Sequence, residues 1–322
     1  MSKADRNQQS GYRELPLSLL KINEKYEFDI FFIIKEEFRL FAAKGAYFTK
    51  EHSDILRSVS TKLYVRVEDW DKVEEYKAGL LNMILMDPKV STKEKAEVAF
   101  ATSMKSIRDV FDVADSRTIE QVEKNADEIV KLILSEQEVM DNLLWINSHD
   151  HFTYQHSVKV GIYATALSLK LFNNKLSRHE LKALSAGYFL HDIGIAEVPQ
   201  EILDKRDPLS PHELDIIRMH PLKGYDRLLE TGHLTPEAAA IVLSHHERFN
   251  GSGYPFAREG DGIPIYAKIC CIADVFEALT STRPYRQSKD PFQALRVMQQ
   301  EMSQDFDAEL FRAFVLLLGP GR

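Results

Sequence analysis

Cysteine is nearly absent: the 322 residues hold only Cys270 and Cys271, adjacent inside an apolar run. Neighbouring cysteines rarely pair, so the sequence predicts reduced core thiols and a reducing compartment rather than a disulfide framework. Long hydrophobic runs are missing too. No stretch approaches ~18 uninterrupted apolar residues, which argues against a membrane-spanning helix. The opening "MSKADRNQQSGYRELPLS" lacks the apolar centre of a secretory signal. Positive charge is in short supply, with 41 Lys and Arg against 49 Asp and Glu and a formal net charge of −8. That balance disfavours binding to polymeric nucleic acid, so any phosphate-seeking surface must be local. No internal repeat or low-complexity tract is evident. These absences together predict a cytoplasmic protein.

What is present suits packed cores: 44% of residues are apolar and 28% charged. The length fits about two domains at ~100–200 residues each. Residues 1–15 are polar and read as a mobile N-terminus. "YEFDIFFII" (26–34), "FRLFAAKGAYF" (38–48) and "KLYVRVED" (62–69) read as strands, and "TKEHSDILRSVS" (49–60) as a short helix behind a Thr cap. From 70 to 145 apolar residues recur at helical spacing. The last of these segments, from Ser116 to Trp145, is charged outside with one apolar stripe, and fits a connecting helix or part of a homodimer seam. Residues 16–145 are therefore expected to form a small α/β domain with a helical connector, suited to regulation or to docking a protein partner. From 146 to 322 the pattern is almost wholly helical: 153–172, 177–194, 210–220, 235–249, 265–281, then two closing helices. The fold class predicted is mainly α, a helical bundle preceded by a small α/β N-terminal domain.

Several of these helical segments end in chemistry. "AGYFLHD" closes an apolar run with His191 and Asp192, "AIVLSHHER" does so with His245 and His246, and "CCIAD" places Asp274 among apolar neighbours. His156 lies early in its helix, and His220 precedes Pro221. Singly, each has a plain explanation, since a lone helical histidine is ordinarily a satisfied core or surface group. As a set they do not, because burying imidazoles and carboxylates is costly unless they are paired or bind metal. Adjacent helical residues diverge by about 100°, so a His-His or His-Asp pair can face two neighbouring centres. Two-metal sites, with ions ~3.5–4 Å apart, make that demand. A carboxylate with two oxygens suits the bridge.

"HDIG", "HHERFNGSGYP" and "IADVFEALTSTRPYR" together resemble the HD-GYP family of HD-domain metal-dependent phosphohydrolases, over roughly 149–318. The resemblance implies a helical bundle around a cluster of divalent ions, iron first and manganese second, and hydrolysis of cyclic di-GMP. It implies that His156, His191, Asp192, His220, His245, His246 and Asp274 are metal ligands, with Asp192 as the bridge. Five neutral histidines and two aspartates carry −2; two divalent ions and a bridging hydroxide bring the formal sum to +1, matched to a phosphodiester's −1. In-line attack by that hydroxide is the expected chemistry. Lys205 resembles the family lysine near the phosphate and joins Asp192 as a catalytic candidate. Arg283 and Arg286, in "RPYR", resemble an arginine tract able to hold phosphate or a guanine edge through two contacts. Gly253, Tyr254 and Pro255 form the GYP loop with Gly251, where Tyr254 can stack on a base or pack beneath the loop.

The sequence also departs from the family. Ile195 stands where many members carry Lys, removing a fixed positive charge, and losing one such contact can cost on the order of 10²–10³ in rate. Phe152 occupies the position of a Glu that serves a third ion elsewhere, which predicts two metals here. Asn250 replaces a common Asp. Three functions compete: a cyclic di-GMP phosphodiesterase of reduced activity, a nucleotide-binding signalling module that turns over poorly and acts through partner contacts, and a hydrolase of another phosphate ester or cyclic dinucleotide.

Overall fold

The computed structural model describes residues 11–15, 20–34, 37–59, 62–70, 72–73, 76, 83–85, 87, 89–135, 137–144, 152–172, 175–205, 207–281 and 288–319. The chain divides into two compact units, Met1–Asp87 and Pro88–Arg322.

In the first unit, β1 (Tyr12–Leu15), β3 (Ile30–Ile34), β4 (Glu37–Ala42) and β6 (Leu63–Arg66) form an antiparallel sheet in the order β1-β6-β3-β4. A second ribbon pairs β2 (Glu24–Lys25) with β5 (Tyr47–Phe48). The expected mobile terminus therefore needs correcting over 12–15: this segment pairs with β6 from Tyr12↔Arg66 to Leu15↔Leu63. Leu15 is buried with Phe28, Ile30, Leu63 and Val65, which supplies the apolar anchor. The expected strand over 38–48 is broken by a turn at Gly45, whose φ of 77° lies in the left-handed region open to glycine. Helix α1 (Lys50–Val59) follows as expected, with His52 N–H donating to the Thr49 hydroxyl at 3.3 Å.

The second unit is helical. Helices α2 (Thr92–Asp112), α3 (Ser116–Ser135) and α4 (Gln137–Leu144) precede α5 (Phe152–Phe172) and α6 (Arg178–Phe189). After a 3₁₀ turn (Ile193–Glu197) come α7 (Gln200–Leu203), α8 (Pro211–Arg218), α9 (His220–Thr231), α10 (Pro236–Ser244), α11 (Ile265–Thr280), α12 (Pro291–Glu301) and α13 (Ala308–Leu318). Capping boxes at Ser91–Glu94, Ser177–Glu180 and Ser210–Glu213 fix the starts of α2, α6 and α8. Among the described residues no helix is long and apolar enough to cross a membrane.

Two expectations change here. The division of the chain lies at 87/88 rather than 145/146, because α2–α4 belong to the C-terminal unit. Lys182 on α6 holds Glu123 on α3 at 2.9 Å, and Arg227 on α9 donates to the Phe111 carbonyl at 3.0 Å. The apolar stripe of α3 (Ile119, Val122, Ala126, Ile129, Val130) is buried within the chain, so it does not need a dimer seam to cover it. Pro221 sits in the first turn of α9, where its missing N–H costs nothing.

Candidate metal centre

Five places in the bundle supply the cluster. His156 comes from the first turns of α5, His220 from the start of α9, and Asp274 from the middle of α11. The paired residues sit differently from the sequence expectation. Helix α6 stops at Phe189, so His191 and Asp192 lie in the turn beyond it, and His245 and His246 lie just past α10. Both pairs thus follow a helix C-terminus, whose partial negative charge favours a nearby cation. Gly194 explains the sharp exit. A Cβ there would lie 2.0 Å from the His220 carbonyl oxygen and 2.6 Å from the Gly224 nitrogen, so the 3₁₀ turn can press on α9 only through a glycine.

The side chains converge. Asp192 Oδ2 lies 3.4 Å from His156 Nε2 and 3.5 Å from His191 Nε2. Its other oxygen, Oδ1, lies 3.2 Å from His220 Nε2 and 3.4 Å from His245 Nε2. Asp274 reaches His156 Nε2 at 3.2 Å and His246 Nδ1 at 3.6 Å. Two groups with metal-compatible spacing result: His156, His191 and Asp274, and Asp192, His220, His245 and His246. Asp192 stands between them, one oxygen toward each.

Divalent ions fit this donor set. His191, His220 and His245 each direct Nδ1 at a backbone carbonyl, of Tyr188, Ile217 and both Ile241 and Val242 respectively. Nδ1 therefore carries the proton, and each Nε2 presents a lone pair inward. His220 Nε2 and His245 Nε2 are only 3.2 Å apart, an arrangement that repels unless a proton or cation lies between. The buried Nε2 of His191 has no hydrogen-bond partner among the described residues.

The electrostatics agree. Burial works against charge on Asp192, but His191, His156 and His220 more than offset it and hold the carboxyl well below its ordinary range. Asp274 is pulled down in the same way, against burial, by His156 and His246. Burial pushes His245 and His246 below the ordinary imidazole value, so both favour the neutral form a metal needs. His156 goes the other way. Burial opposes its charge, but Glu277, Asp192 and Asp274 raise it well above that value in the metal-free protein.

Sequence reasoning missed two residues here. Glu277 is fully buried and faces His156 Nδ1 at 2.5 Å. It lies three residues after Asp274 on α11, one turn along the same face, which is the signal that could have found it. It changes the intrinsic charge of the cluster from −2 to −3. Glu247 is also buried; its two oxygens accept from the backbone N–H groups of Phe256 and Arg258 at 2.8 and 2.9 Å, fastening the GYP loop.

That loop lies directly on the segment that carries His246. A Cβ on Gly253 would come within 2.5 Å of the His246 carbonyl oxygen and 2.4 Å of the Arg248 nitrogen. Tyr254 stacks on the His246 ring, with centroids 4.7 Å apart at 29°, and the Arg218 guanidinium sits 5.9 Å from the Tyr254 ring. Tyr254 is half-buried against His246. Pro255 is half-buried behind it. Asn250 donates to Asp305 at 3.0 Å, a contact an Asp at this position could not make as a donor.

Lys205 is placed less favourably than the sequence suggested. Its ammonium donates to both oxygens of Glu213, at 2.8 and 2.7 Å, and the same Glu213 caps α8. Arg283 and Arg286 lie outside the described residues. Ile195, half-buried in the 3₁₀ turn, brings no charge.

Known proteins bear on this geometry. A cyclic di-GMP phosphodiesterase of Pseudomonas aeruginosa is 34% identical over 193 residues, covering 60% of this chain and 46% of the relative. A 3'3'-cGAMP-specific phosphodiesterase of Vibrio cholerae is 35% identical over 188 residues, covering 58% and 42%. The chain thus spans less than half the length of these curated relatives. The solved structure of an HDG"Y"P protein from Bdellovibrio bacteriovorus superposes with a TM-score of 0.68 at 18% identity, covering 96% of this chain and all of that one, a likeness of fold. A family model described as an HD domain matches residues 138–310, more than half the chain. The chain belongs to the HD domain family, and its motifs and fold are those of the HD-GYP proteins within it.

Proposed function

We propose that this protein is a metal-dependent phosphodiesterase that opens a cyclic dinucleotide, with cyclic di-GMP as the first candidate and 3'3'-cGAMP as the second. The observation that carries the reading is the convergence of seven His and Asp side chains, with imidazole lone pairs facing each other across 3.2 Å. His156, His191 and Asp274 would hold one ion, and His220, His245 and His246 the other, with Asp192 shared. Iron or manganese bound there would supply the Lewis acidity that activates water and stabilises charge on a phosphodiester. The chain's own groups do the rest. Asp192 would set the spacing of the two positions, since one of its oxygens lies beside His156 and His191 and the other beside His220 and His245. The backbone carbonyls behind His191, His220 and His245 lock the tautomers, so no ring needs to reorganise during turnover. Gly253 and Tyr254 hold His246 in place.

Among the described residues, the two positions expected to bring a cation to the phosphate do not offer one freely: Ile195 is uncharged, and Lys205 would reach substrate only by exchanging Glu213. Reduced turnover is the reading these positions favour, and nucleotide binding with little hydrolysis is the second reading that Ile195 favours. Hydrolysis of cyclic di-GMP and 3'3'-cGAMP by iron- or manganese-loaded protein, followed by chromatography of the products, tests both. Turnover lost in Asp192→Ala supports the enzyme. Saturable binding without product supports the module. Restoring the charge in Ile195→Lys should raise the rate, up to the order of 10²–10³ if the missing contact is electrostatic. No gain would remove Ile195 from the account.

A further inference from the structure

The metal-facing histidines are not backed alike. Nδ1 of His191, His220 and His245 meets neutral backbone carbonyls. Nδ1 of His156 meets a carboxylate, Glu277, at 2.5 Å. The far oxygen of Glu277 accepts from the hydroxyl of Ser281, the residue that caps the C-terminus of α11. Both carboxylate oxygens are thus occupied, and the group is fully buried. Lys159, nearly buried and three residues beyond His156 on α5, also favours the charged carboxylate.

A carboxylate hydrogen-bonded to the outer nitrogen of a metal-binding imidazole fixes the ring and raises its basicity. A neutral carbonyl fixes the ring with less charge. The position built from His156, His191 and Asp274 therefore receives an extra negative group through His156, whereas in the other position the one carboxylate behind a ring among the described residues is Asp274, 3.6 Å from His246 Nδ1 and beyond hydrogen-bond distance. Resting on the two-metal reading above, we infer that Glu277, steadied by Ser281, is a positioning residue for His156 and makes the two cation positions unequal, with the His156 position the tighter.

The test uses the full chain, stripped of metal and titrated with manganese(II). Calorimetry reads the binding steps, and electron paramagnetic resonance separates isolated from paired manganese. Glu277→Gln keeps the shape and an acceptor but removes the charge. It should weaken one binding step by about 10–100-fold and leave the other unchanged. Paired-manganese signal should then appear only at higher metal concentration. Glu277→Asp should recover part of the loss, which a purely space-filling role would not produce. Ser281→Ala should weaken the same step by less, and carries the test if circular dichroism shows Glu277→Gln misfolded. Both steps at wild-type strength in these variants, or both weakened alike, would overturn the inference. Wild-type chain that takes up fewer than two ions would overturn the two-metal reading along with it.

Discussion

At the scale of single residues, the site depends on close approach as much as on ligand identity. Gly194 permits the 3₁₀ turn to touch the backbone of α9 at His220. Gly194→Ala should cost about 1–3 kcal/mol through overpacking, read as a lower midpoint in urea, and should loosen metal binding by displacing His220. Unchanged stability would show that α9 yields freely. Protonation gives a second expectation. In the metal-free chain, His245 and His246 have pKa values below the ordinary value of about 6.5, chiefly through burial. Below pH 6.5 the unfolded chain binds protons that these folded residues refuse, so their contribution is present above that pH and is lost as pH falls toward their lowered values. His156, raised instead, contributes fully below 6.5 and loses that contribution only as pH rises through its folded value. Acidifying metal-free protein from pH 6.5 to 5 should therefore lower its melting temperature. A flat profile would contradict the burial of the two rings.

At the scale of elements, helix ends and one loop build the centre. Both paired motifs lie in turns just beyond helices rather than within them, and the sequence pattern carried no sign of the break. An apolar run followed by His-Asp looks the same whether the helix continues or stops; the 3₁₀ turn that follows the His-Asp pair is pressed against α9 at Gly194, a contact between distant parts of the chain. The GYP loop, by contrast, was readable from its glycines and prolines. What holds it was not, since Glu247 looks like an ordinary surface acid until its burial is seen. Glu247→Ala would leave the N–H groups of Phe256 and Arg258 without their acceptor. Each loss costs about 1–3 kcal/mol when the group stays buried. Faster amide exchange at residues 256 and 258 is the expected readout, and unchanged exchange would show that the loop is held elsewhere.

At the scale of the whole molecule, each unit has its own core, and α2–α4 complete the helical one. Residues 88–322 should therefore fold and bind metal alone, whereas 146–322 should aggregate because it strips the cover from α5 and α6. Circular dichroism and gel filtration of the two fragments decide this, and a well-folded 146–322 would restore the division expected from the sequence. The seven ligand candidates were legible because their residue types are costly to bury without a partner. The domain boundary was not, because a helix that packs within the chain has the same amphipathic period as one that connects domains or pairs with a second copy. The most direct measurement is elemental analysis of anaerobically purified protein and of its Asp192→Ala variant. Two iron or manganese ions per wild-type chain, falling to one or none in the variant, is the predicted result. A wild-type chain that takes up no transition ion after loading, or a variant that retains both ions, would contradict the account.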